Sequence, residues 1–165
     1  MFDRSVPVFV HYLKSLSAIL SKGEAYCAAR KIDPVVVLNT RLFPDMLPLV
    51  RQVQLASDAS KGAGARLTGA AVPSFPDEEK TLEETQARIA RTIAFLESLN
   101  PEQFSGAAER TVSFKAGGQE RTYTGTDYLE LWAKPNFFFH VTTAYAILRH
   151  CGVELGKVDY LKGGN

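Results

Sequence analysis

Between Asn136 and Gly152 the chain leaves little choice of structure. Phe137, Val141, Ala144, Leu148 and Cys151 recur at spacings of three and four. Those spacings place them along one face of a helix. Phe138, Tyr145 and Ile147 widen the apolar stripe. Pro135 falls at or just before the first turn, where its missing N–H costs nothing. Gly152 follows the last periodic residue and can take the left-handed conformation that closes a helix. Arg149 and His150 put positive charge in the last turn, where the helix dipole favours it. A start, a stripe and a stop agree, so the segment is expected to be the last and most buried helix of a helical protein.

Asn136 and His140 are four residues apart, so their side chains stack on one flank of this helix, beside the apolar stripe. A neutral imidazole there could bind a divalent metal. Equally, it could be a partly buried side chain hydrogen-bonded to a neighbouring helix, since burying its polar atoms requires partners anyway.

The rest of the chain supplies three more long apolar stripes. Val6, Phe9, Val10, Leu13, Leu16 and Leu20 predict a first helix over residues 5–30, with Ser5 as N-cap and a possible bend at Gly23. His11 points away from that stripe and is expected at the surface. Asp33 and Pro34 open a short helix to Asn39. Pro44 and Pro48 interrupt residues 41–48, so a second long helix is expected to begin between Asp45 and Leu47, capped by Asp45, and to run to Leu67. Val50, Val53, Ala56, Ala63 and Leu67 mark its buried side. The small residues Ala59, Gly62, Ala63, Gly64 and Ala65 let a neighbour approach closely. Gly62 to Gly64 comes after no strand and lacks the spacing of a phosphate loop. Thr81 caps a third helix with Glu84 at the capping-box position, and Leu82, Gln86, Ile89, Ile93 and Leu96 trace its face. The acidic residues around its start suit the dipole and read as a solvated helix end. Asn100 and Pro101 start a short helical turn. Residues 110–115 and 120–124 flank Gly117 and Gly118 as a β-hairpin, with Val112 and Phe114 on one face. Thr126 is expected to cap a short helix through Ala133.

The expectation is an all-α, antiparallel four-helix bundle forming one domain over residues 1–165, with a small β-hairpin and short helices inserted before the last long helix. A formal charge of +1 and dispersed Lys and Arg residues give no electrostatic case for nucleic acid. No stretch approaches the ~20 apolar residues needed to cross a bilayer. The N-terminal residues Asp3, Arg4, His11 and Lys14 break up any signal-peptide core. Cys27 and Cys151 have no paired spacing and are expected as free thiols in a reducing cytoplasm, unless the first and last helices bring them together.

Several segments together carry a more specific likeness: Ser5 to Phe9, Arg41 to Met46, Arg51 to Asp58, Pro73 to Pro76, Asn136 to His150 and Gly156 to Leu161. Over nearly its whole length the chain resembles a branch of the DinB/YfiT-like superfamily, domain of unknown function 1993. The resemblance implies a four-helix bundle with a metal site near one end, often as a homodimer. In the wider superfamily three histidines hold a divalent metal, and some members are metal-dependent thiol transferases. One of those histidines lies on the second helix, and the other two are a pair four apart on the fourth. Carried over, the fourth-helix pair falls on Asn136 and His140, and the second-helix position falls near Gln52 or Gln54. Only His140 is a histidine. Amide oxygens are hard donors, better suited to calcium or magnesium than to zinc. Asp45 or Asp58 could add a carboxylate.

Two functions are compatible with these residues. In the first, the protein is a non-catalytic or small-ligand-binding homodimer with a degenerate metal site. His140, Asn136, Gln52 and Gln54 then form a hydrogen-bond network, and Phe137, Phe138 and Tyr145 wall an apolar pocket. In the second, His140 and its neighbours hold a divalent metal for a transferase or hydrolase acting on a small molecule.

Overall fold

The computed structural model describes residues 1–164. It is mostly helical: α1 (Val6–Arg30), α2 (Pro34–Leu38), α3 (Leu49–Thr68), α4 (Leu82–Glu97), α5 (Gly125–Asp127), α6 (Lys134–His150) and α7 (Lys157–Leu161). A two-stranded antiparallel sheet, β1 (Thr111–Ala116) and β2 (Gln119–Thr124), lies between α4 and α5 in sequence. Each of α1 and α3 packs on both α4 and α6, so the four stripes close on one another. Phe9, Leu13 and Leu16 of α1 meet Val53 and Ala56 of α3, Ile89 and Leu96 of α4, and Phe137, Val141 and Leu148 of α6 in one core. Phe9 and Phe137 touch edge to face with ring centroids 4.9 Å apart. Such a contact adds about 0.5–1.5 kcal/mol beyond burial alone.

The helix starts depend on local chemistry. The Asp33 carboxylate accepts from Val35 N at 2.9 Å and opens α2. Thr81 and Glu84 form the expected capping box on α4, worth about 1 kcal/mol. One expected cap stands in place without its side-chain bond, and one is corrected. Ser5 occupies the N-cap position of α1, but a 3-10 turn over Phe2–Arg4 runs straight into the helix and the Ser5 hydroxyl donates back to Met1 O and Phe2 O instead of accepting from the first turn. Asp45 does not cap α3, which begins later, at Leu49, behind Pro48. A proline disfavours helical backbone at the residue before it, so Leu47 cannot be a helical residue there and Asp45 stays in an exposed loop. α1 also runs through Gly23 uninterrupted, with the Leu148 side chain filling the space a Cβ would need.

The hairpin pairs Thr111 with Thr124 through Ala116 with Gln119. Gly117 and Gly118 both have positive φ, as a two-residue turn of matching twist requires. Two strands alone are marginal in water. Here Val112 is buried, and Phe114 packs on Tyr128 and Trp132 at centroid distances of 5.4 and 5.3 Å.

The largest departure is at the last helix. No break separates a short helix from a long one. Thr124, not Thr126, supplies the cap, accepting from Asp127 N at 3.1 Å. The backbone then stays right-handed helical from α5 through Tyr128–Ala133, which is π-helical, into α6. Pro135 explains the widened turn. It has no N–H to give, and its ring would crowd the carbonyl four residues back in a regular α-helix. The wider π turn relieves that crowding, and the helix continues. Among the described residues no helix is long and apolar enough to cross a membrane.

Candidate functional site

His140 projects from α6 toward α3, and its Nδ1 lies 2.8 Å from Gln52 Oε1. The Gln52 amide is fixed at its other end, where Nε2 donates to Leu47 O at 2.9 Å. The amide oxygen must therefore face the ring, so Nδ1 carries the proton and donates. Nε2 is left as a bare acceptor. Burial, and secondarily the charge of Arg51, pushes the imidazole below its ordinary 6.5. The ring is neutral at neutral pH, with one lone pair on offer.

His140 lines a trough of about 280 Å³ between α3 and the last helix. Leu55, Asp58 and Ala59 line one wall, and Trp132, Asn136 and His140 the other. Phe114, Tyr128 and Arg66 close the end beneath the hairpin. Asn136 Nδ2 donates to Trp132 O at 2.9 Å, next to the π turn. Its Oδ1 remains a second acceptor. Arg66 Nη1 donates to the Tyr128 hydroxyl at 3.1 Å, and the guanidinium lies 5.0 Å from the Phe114 ring centroid. Burial raises the Tyr128 phenol above its ordinary 10.0 despite Arg66, so it stays neutral.

The structure joins some of the predicted site residues and separates others. Gln52 and His140 meet directly, and Asn136 lines the same trough. Gln54 does not join them. Its Nε2 donates to Glu79 Oε2 at 2.7 Å, because two residues along a helix turn a side chain to a different face. Phe137 is fully buried against Phe9. Phe138 packs on Tyr12 at 5.0 Å, and Tyr145 on Tyr160 at 6.2 Å. None of these three lines the trough. Its aromatic walls are Phe114, Tyr128 and Trp132 instead. Phe114 comes from the hairpin, whose docking no local sequence pattern announces. The face shared by Val112 and Phe114 is the only sequence signal that could have pointed there.

These residues do not fit a divalent metal. Among the described residues no group of three or more His, Cys, Asp or Glu side chains gathers at one point. His140 offers one nitrogen, and both ends of the Gln52 amide are engaged. Asp58 pairs with Lys61 and with Arg88, the latter at 2.8 Å. Asp45 is exposed in its loop. A structural zinc site needs four donors and a catalytic one three.

Asp58 is also the edge of a second polar cluster, which the sequence did not reveal. Arg88 of α4 is 1% exposed, the largest side chain among those fully buried. It pairs with Asp58 at 2.8 Å, Asp77 at 3.0 Å and Glu79 at 3.0 Å, and donates to Pro76 O at 3.0 Å. Arg51 pairs with Asp77, and Lys61 with Asp58. Three cations and three carboxylates thus fasten the loop after α3 to α3 and α4. Phe75 in that loop lies between Lys61, 4.9 Å from its ring centroid, and Arg91, at 4.1 Å. Burial would raise the Glu79 carboxyl, but bonds from Gln54 and Arg88 outweigh it and hold the group below its ordinary 4.5.

The chain matches the family model described as Domain of unknown function (DUF1993) over residues 1–161. It is similar to the crystal structure of a dinb family member protein from Shewanella denitrificans determined at 1.83 Å resolution. The two are 43% identical, with a TM-score of 0.91, and the match covers 97% of this chain and 90% of that one. No curated protein matches.

Proposed function

The chain belongs to the DUF1993 family and is DinB-like, and on that premise we propose that it is an antiparallel four-helix bundle that binds a small organic molecule in the His140 trough without a metal. The observation that carries this reading is the His140–Gln52 bond. It consumes Nδ1, fixes the tautomer and leaves Nε2 as the single neutral acceptor of a ring that lines a trough with aromatic walls. Small-ligand sites have this make-up: an apolar wall with a few placed polar atoms. The alternative, a divalent-metal-dependent transferase or hydrolase, needs a donor set that these residues do not assemble.

The sequence has one tryptophan, and Trp132 lines the trough, so its fluorescence reports occupancy directly. The expected result is that untagged protein carries no stoichiometric metal by elemental analysis. Titration with zinc, manganese or magnesium should leave Trp132 emission unchanged, while aromatic small molecules should shift it. Stoichiometric metal that disappears in His140→Ala would overturn the reading in favour of the enzyme.

We also propose a homodimer. Phe139 is 56% exposed, and with Leu42, Met46, Pro135 and Phe138 it lines an apolar groove of about 490 Å³. Exposed apolar surface of this kind marks interaction sites. A second copy of the chain is the proposed occupant, so light scattering should give twice the chain mass and Phe139→Glu should give the monomer. The two free thiols, Cys27 and Cys151, suit the reducing cytoplasm proposed as its compartment.

A further inference from the structure

We propose that the trough selects a carboxylate, held at its hairpin end by Arg66, on a molecule with an aromatic or apolar body. This deepens the ligand-binding reading above and rests on it. The first support is the state of Arg66. Among the described residues no carboxylate lies within ion-pair distance of it, although it is half-buried and lines the trough. Its one described hydrogen-bond partner is the Tyr128 hydroxyl, which is an acceptor and not a counter-ion. A guanidinium has five N–H donors in a planar fork matched to a carboxylate. The donors not spent on Tyr128 are available to a ligand.

The second support is that this cation is held in place before any ligand arrives. It lies against the Phe114 face at 5.0 Å and near the Tyr128 ring at 5.9 Å. It also folds back along α3 into the space above Gly62, where any Cβ would run into Nη1. A glycine in mid-helix is unfavourable by about 1 kcal/mol against alanine. Here it makes the slot that the guanidinium occupies. A side chain already ordered loses little freedom on binding.

The third support is the charge balance of the walls. Asp58 is the one carboxylate lining the trough, and Lys61 and Arg88 neutralise it. Lys115 also lines the trough, but it is exposed to solvent, where an ion pair contributes little, so the selectivity is assigned to the half-buried Arg66. Between the cation and His140, Ala59 and Ala133 leave room, and the Trp132 ring, which carries the Arg121 guanidinium over it at 4.7 Å, lines the wall. Counting residues along α3 from Gln52 to Gly62 puts the two ends about 15 Å apart. A ligand that reached His140 would need a hydrogen-bond donor there, because Nε2 can only accept.

The test uses three probes of one shape: phenylbutyrate, phenylbutanol and phenylbutylamine, followed by Trp132 fluorescence and by calorimetry. The acid is expected to bind about tenfold or more tighter than the alcohol, the factor a charge-assisted pair supplies, and the amine more weakly still. Arg66→Gln should erase that preference, and Arg66→Lys should restore part of it. Gly62→Ala should also erase it by displacing the guanidinium, with the fold confirmed by circular dichroism. Equal binding of all three probes, or an acid preference that survives both Arg66→Gln and Gly62→Ala, overturns this inference and leaves the ligand-binding reading standing. Failure of all three to perturb Trp132 overturns that reading as well.

Discussion

Two polar clusters sit side by side along α3, and they are built on opposite terms. Around Arg88, three cations and three carboxylates pair with one another, and of the Arg88 donors Nε alone is buried without a partner among the described residues. Around His140, the polar atoms are fixed on one side and open on the other: Nε2, the Asn136 amide oxygen and most of the Arg66 donors. Asp58 borders both. The first arrangement fastens a loop. The second leaves polar groups without protein partners while holding them still, as recognition of a ligand requires. The contrast also explains why charge density is a poor guide to the site in this protein. The larger groove over Glu78, Glu79, Glu84, Arg88 and Arg91, about 430 Å³, is lined by side chains several of which are already paired.

The sharpest way to break the comparison is to open the closed cluster. Arg88→Ala leaves the buried Glu79 without its cation, and Asp58 and Asp77 with Lys61 and Arg51 alone; removing one partner of a buried charged pair costs about 3–5 kcal/mol. Urea unfolding should show a loss of that size, and limited proteolysis should cut the freed loop around Phe75. Acid should act on the same contacts. Glu79 is held below its ordinary 4.5, so its contribution is intact above that value and is lost as pH falls below it through the folded value. If Arg88→Ala is nearly neutral, the cluster is not the fastening described. Gln52→Leu comes next. It strands the His140 Nδ1 proton and the Leu47 carbonyl, for a loss of about 1–3 kcal/mol.

The open cluster has its own pH signature. Burial lowers the His140 imidazole from 6.5, so the unfolded chain takes up the proton first as pH falls. The stability tied to this ring is complete above 6.5 and declines below it, through the lowered folded value. NMR titration should place the His140 midpoint below 6.5, and His140→Phe should remove the decline from that window. Gln52→Glu puts a carboxylate against Nδ1 and should move the midpoint upward. A midpoint that does not respond would mean the Gln52 contact is not what orients the ring.

What could be read from the sequence divides along the same line. Stripes, caps and the Gly117–Gly118 turn are local, and their periodicity and spacing located α1, α2, α4 and the hairpin closely. The meeting of His140 with Gln52 was also within reach through the resemblance, because both residues stand on helix flanks fixed by phase. Three things were out of reach, each for a long-range reason. The π turn before Pro135 merges two predicted helices because tertiary packing favours a continuous rod over a break. Arg88 looks like a surface residue until the loop 69–80 folds over it with two carboxylates. Phe137, Phe138 and Tyr145 read as pocket walls because they neighbour His140 in sequence. On a helix, though, residues next in sequence point about 100° apart, and these three face α1 and α7.

The finest test compares two glycines two residues apart on α3. At Gly64 an added Cβ would lie 2.8 Å from Leu99 Cδ1 and 3.0 Å from Leu96 Cδ2, in packed core at the α4 side. Such overpacking costs about 1–3 kcal/mol, more than the helix propensity gained by alanine returns. At Gly62 the first atom met is the free end of Arg66, a flexible side chain beside an open trough. The guanidinium can swing away, so the propensity gain of about 1 kcal/mol is offset only by the lost Tyr128 bond and ring contacts. Gly62→Ala should therefore leave the unfolding midpoint nearly unchanged while Gly64→Ala lowers it. If the order is reversed, Gly62 serves core packing, and the guanidinium's place above it is incidental. If it holds, alanine there would cost the fold almost nothing, and what it would cost is the position of the one half-buried cation that lines the trough without a carboxylate partner among the described residues.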